Sequence, residues 1–74
     1  MYLEKDVRKK VKEIITKIRN LRNQKEYSQE YVGDKLGIGQ VAYHKLENGK
    51  TSLKIEVVLK LAIILEVETS CILD

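Results

Sequence analysis

Between Gln40 and Asn48 the chain gathers two amides, an imidazole, a branched methyl pair and an ammonium: Gln40, Asn48, His44, Val41 and Lys45. At about 100° per residue these five fall within an arc of about 140°, with Ala42, Tyr43 and Leu46 on the opposite side and Glu47 at the border. The polar arc holds no carboxylate. Such a set suits the edges of base pairs, because an amide pairs with adenine N6 and N7, an ammonium reaches guanine O6 and N7, and a valine touches the thymine methyl. Catalysis has little to work with. His44 is the only histidine, Glu47 stands about 60° from it round the helix, and neither a nucleophile nor a metal-ligand cluster accompanies them. No catalytic residue, metal ligand or cofactor is expected.

To present that arc, a helix must be held against another across a short turn, and small residues mark where the two approach: Gly33 inside the preceding segment and Gly37 in the turn. Helical hairpins also use glycine for packing without binding anything, so spacing alone leaves both readings open. Ser28 followed by Gln29 and Glu30 reads as an N-cap with an acid in the first turn, giving a helix over Gln29 to Leu36 that Gly37 ends. A helix beginning at Gly39 closes at Asn48-Gly49. Before them, Leu3, Val7, Val11, Ile14, Ile15, Ile18 and Leu21 share an arc of about 120°, which predicts one amphipathic helix. After them, Ile55 to Leu65 has only Glu56 and Lys60 as polar members. It suits a core helix and is too short for a membrane span. Thr69 to Leu73 suits a final turn or two.

The 74 residues make one domain, 1–74, with 43% hydrophobic and 34% charged residues and no proline, a balance that favours a folded all-helical chain. The single cysteine, Cys71, excludes an intramolecular disulfide. Beside Ile72 and Leu73 it is expected to be a small buried side chain. With neither a signal peptide nor a long apolar span to be seen, a cytoplasmic protein without membrane contact is expected. The net charge of +3 is uneven: residues 1–25 carry nine Lys/Arg against three acids, whereas residues 51–74 carry two against four. That bias suits a polyanion.

From Ile18 to Val67 the chain resembles the phage repressor and Cro type of helix-turn-helix domain, the XRE family of transcriptional regulators. The motifs "IRNLR" before a connector, "SQ" opening the second helix, Gly33, Gly37 and "KLENGK" closing the third helix all stand in register. The resemblance implies an all-α, compact five-helix, lambda-repressor-like domain, with 28–48 as the helix-turn-helix and 1–13 as an extension of the first helix. It implies that Gln40, Val41, His44 and Lys45 read bases in the major groove of double-stranded DNA. Gln29 would brace the recognition helix and hold a phosphate, with Arg22, Ser28, Asn48, Lys50 and the backbone amides near Gly49 making further phosphate contacts. Val32, Leu36, Ile38, Tyr43, Leu46, Leu59, Ala62 and Leu65 would form the core. Departures are Gly39 in place of a Ser or Thr cap, Tyr43 with its hydroxyl expected to reach the surface, Leu53-Lys54 in place of Pro-Ser, and Glu66 in place of Gly.

Two apolar sets exceed the family's needs: Leu3, Val7 and Val11 on the extension, and Val57, Leu61 and Ile64 on the fourth helix. Either the extension covers that surface within one chain or two chains share it. A homodimer on a palindromic operator is the favoured expectation. Lys5, Arg8, Lys9 and Lys12 could add phosphate contacts, though solvation is the expected role for most of them. No small-molecule ligand is expected. The alternative function is a protein-interaction module, or the antitoxin of a toxin pair, with weak or no specific DNA binding.

Overall fold

The structure, a computed structural model, describes residues 2–74. Among the described residues lie five helices and no strand: α1 (Tyr2–Gln24), α2 (Gln29–Leu36), α3 (Gly39–Glu47), α4 (Ile55–Ile64) and α5 (Ser70–Leu73). The boundaries have local causes. α1 closes on Glu26, whose φ of 59° is left-handed, with the Glu26 amide donating to the Asn23 carbonyl and the Tyr27 amide to that of Arg22. At the start of α2, Ser28 is extended and its Oγ accepts from the Tyr31 amide at 3.0 Å, the expected hydroxyl cap. Gly37 ends α2 at φ 79°.

α3 starts without a side-chain cap. The reason is backbone geometry: Gly39 has φ 81°, where a Ser or Thr would be strained. Beyond α4, Glu66 adopts φ 58°, the left-handed residue for which the family pattern has glycine. A carboxylate side chain therefore occupies that conformation at some steric cost.

One residue or more from every helix enters the core: Ile18, Val32, Tyr43, Leu46, Leu61, Leu65 and Ile72 are all buried. α2 and α3 approach most closely at Gly33. A Cβ there would lie 2.4 Å from the Gly39 carbonyl oxygen, which is backbone and has nowhere to go. The angle of the hairpin thus depends on the missing side chain. No helix among the described residues is long and apolar enough to cross a membrane.

Several expectations about burial are corrected. Leu61 is fully buried, and Val57 and Ile64 are half-buried against the core, so these three are not the outward stripe of α4. That stripe is Ile55, Leu59 and Ile63, spaced by four and 57%, 46% and 77% exposed. Leu59, expected in the core, points about 160° away from Leu61 round the helix. Ile38, also expected inside, lies in the tight α2–α3 turn and is exposed. Cys71 is exposed, because Ile72 and, in part, Leu73 take the inward positions of that turn. Leu3, Val7 and Val11 are exposed too, so no described part of the chain covers the extension.

Candidate nucleic-acid interface

The exposed face of α3 is built around a carboxylate on its hidden side. Glu47 is 1% exposed and lies between α1, α2 and α3. Arg22 of α1 donates to both of its oxygens, Nε at 2.6 Å and Nη2 at 3.1 Å, and Gln29 of α2 donates through Nε2 at 3.2 Å. The Tyr43 hydroxyl donates to it from one turn earlier on α3. Arg19 donates to the Glu47 backbone carbonyl at 2.6 Å. Burial alone would push the Glu47 carboxyl upward; the hydrogen bonds from Arg22, Tyr43 and Gln29 and the Arg22 charge outweigh it, leaving the group below its ordinary range. The hydrogen bond to Glu47 holds Arg22 above its ordinary value, and burial, with that same carboxylate, raises Tyr43. The centre is therefore a carboxylate, a guanidinium and a neutral phenol. Every buried side-chain polar atom among the described residues has a partner.

Gln29 carries this arrangement to the surface. Its Oε1 lies 3.1 Å from Nδ1 of His44, and Nε2 of His44 lies 2.9 Å from Nδ2 of Asn48. Gln29 thus joins α2 to α3 at two residues, Glu47 and His44. Beside these, Gln40, Val41 and Lys45 are exposed, Val41 by 72%. The structure places Gln40, Val41, His44, Lys45 and Asn48 on one accessible face of α3, with Ser28 and Gln29 at the adjoining end of α2.

Other expected site residues are placed differently. Arg22 is turned inward: besides Glu47, it donates through Nη1 to the Tyr27 carbonyl at 2.8 Å. Its geometry is that of a brace joining α1 to α3, not of a free cation. Tyr43 is fully buried and its hydroxyl serves Glu47, so it does not reach the surface. The amides of Asn48, Gly49 and Lys50 donate to the carbonyls of His44, Leu46 and Lys45 and are occupied in closing α3. Only the side chains of Asn48 and Lys50, both exposed, remain for a ligand there.

Glu47 is the residue that helical spacing sets at the border of the two arcs, without a role of its own. Its signal was its place one turn after the inward Tyr43, at the edge of the core arc, where a carboxylate needs a cation. A groove of about 610 Å³ between α1 and the end of α3 is lined by Val7, Val11 and Ile15, by Arg8 and Lys12, and by Asn48.

The helix-turn-helix family model HTH_3 matches residues 18–70, from the middle of α1 into α5. No curated protein and no solved structure matches the chain. The matched span takes in the Ser28-capped helix, the glycine-tightened turn and the exposed arc of α3, and on that match the chain belongs to the XRE-type helix-turn-helix family of DNA-binding transcriptional regulators.

Proposed function

We propose that this protein is a sequence-specific regulator that inserts α3 into the major groove of double-stranded DNA and binds a palindromic operator as a dimer. The observation that carries the reading is the carboxylate-free exposed arc of α3 on a helix whose one acid is buried and neutralised. Gln40, Val41 and Lys45 have the groups and the exposure to meet base edges. Ser28 and Gln29 on one flank, and Asn48 and Lys50 on the other, hold phosphates and set the register. Arg8 and Lys12, which are exposed and line the same groove as Asn48, extend the second flank. The affinity is salt-dependent in proportion to the phosphates neutralised.

Dimerisation is supported by two uncovered apolar stripes, Leu3, Val7 and Val11 on α1 and Ile55, Leu59 and Ile63 on α4. In a monomer the larger part of both stripes faces solvent.

Titration of duplex DNA into isotope-labelled protein tests the assignment of the face. Amide and side-chain shifts should concentrate in Ser28–Gln29, α3 and Asn48–Lys50. Shifts confined to the apolar stripes, or none, would refute DNA binding by this face and favour the protein-interaction alternative.

A further inference from the structure

The hydrogen bonds that run from Glu47 to Asn48 have a fixed direction, and the direction can be worked out atom by atom. Glu47 is an ionised carboxylate held by Arg22, so it only accepts. The Gln29 atom 3.2 Å from it must then be the amide NH2, which turns the Gln29 carbonyl oxygen toward His44. That oxygen accepts, so the His44 nitrogen 3.1 Å away, Nδ1, must carry the hydrogen. In a neutral ring Nε2 is then a lone pair, and it accepts from Nδ2 of Asn48 at 2.9 Å. Any single reversal sets two lone pairs or two hydrogens against each other.

We infer that His44 is a positioning residue, locked by Gln29 as the Nδ1–H tautomer, that orients the Asn48 amide for a phosphate and reads no base itself. Both ring nitrogens are occupied, so no ring N–H or lone pair remains for a base edge. Asn48 keeps one N–H and its Oδ1 free. The buried carboxylate thereby sets the donor and acceptor pattern of the Asn48 amide, three hydrogen bonds away. The consequence for DNA rests on the proposed function; the tautomer does not.

His44 is the only histidine, so long-range ¹H–¹⁵N spectra of the imidazole in the full chain, without DNA and at pH high enough for a neutral ring, report on it alone. Nδ1 is expected at the protonated position and Nε2 at the unprotonated one. Gln29→Ala should release the ring to the mixture, rich in Nε2–H, that a free imidazole adopts. An Nε2–H ring, or a rapid mixture, in the wild type would overturn the lock, as would a spectrum unmoved by Gln29→Ala. On DNA selected by the wild type, His44→Ala and Asn48→Ala should each weaken binding about fivefold to tenfold, as loss of one hydrogen bond would. The double variant should be little weaker than either single one, and base preference should be unchanged at every position. A position at which only His44→Ala relaxes the preference would overturn the positioning role. Failure of the wild type to bind any duplex would refute the proposed function, while the ring spectra would still decide the lock.

Discussion

Glu47 links the stability of the fold to the presentation of its exposed face. It ties α1, α2 and α3 at a single carboxylate, and removing the charge leaves Arg22 half-buried without its partner. Glu47→Gln should therefore cost about 3–5 kcal/mol, the usual range for breaking a buried pair from one side. Because folding lowers the Glu47 carboxyl, its contribution is present above the unfolded value of about 4.3 and is lost as pH falls through the folded one. The gap between wild type and Glu47→Gln in denaturant unfolding should be widest near pH 7 and narrow as pH falls below the unfolded value and through the lowered value of the native carboxyl. A gap that stays constant over that range would show that the pair is not what the substitution removes. On the outer side of the same helix, Lys45→Ala should cost about 1–3 kcal/mol of discrimination at one or two base pairs while leaving stability within about 0.5 kcal/mol. Competition binding with single-base operator variants, together with a melting curve, separates the two effects.

At the scale of elements, the hairpin of α2 and α3 depends on what is absent at Gly33. Gly33→Ala places a methyl group 2.4 Å from a backbone oxygen, so α3 must shift as a body. The expected loss is about 1–3 kcal/mol or more, read as a fall in the urea midpoint, with weakened DNA binding from the displaced recognition helix. An unchanged midpoint would mean that the helices can part at no cost. Much of this architecture was legible in the sequence: Ser28 as cap, Gly37 as terminator, the α3 boundaries and the amphipathic α1 all follow from local chemistry. What was not legible depends on long-range packing. The α4 segment is apolar on every side but that of Glu56 and Lys60, so its periodicity marks no single buried face; the family resemblance set Leu59 inward and Leu61 outward, and the seat of α4 against α2 and the core reverses them. Similarly, helical spacing sets Glu47 at the edge of the core but cannot bring Arg22 and Gln29 to it from 25 and 18 residues away. The inward turn of Arg22 was hidden for the same reason.

For the whole molecule, the longest dimension is 37 Å, close to the length of about 34 Å that 23 residues give α1 at 1.5 Å each. Its first three turns extend beyond the core with Leu3, Val7 and Val11 uncovered. A dimer that uses this stripe or that of α4 should be broken by a charge placed in it. Sedimentation of Val7→Asp and Ile63→Asp should show a monomer for the variant whose stripe forms the interface, and a wild-type monomer at all concentrations, with and without duplex DNA, would contradict the dimer. Arg8→Gln with Lys12→Gln should lower the slope of log K against log salt by about 1.8, at about 0.9 per phosphate released. An unchanged slope would assign both side chains to solvent. The central claim, that the exposed arc of α3 reads bases, is tested most directly by selecting bound sequences from random duplex DNA with the wild type and with Gln40→Ala. The account predicts an enriched palindrome whose preference blurs at one defined position per half-site in the variant. Enrichment of no sequence, or an identical preference in both proteins, would contradict it.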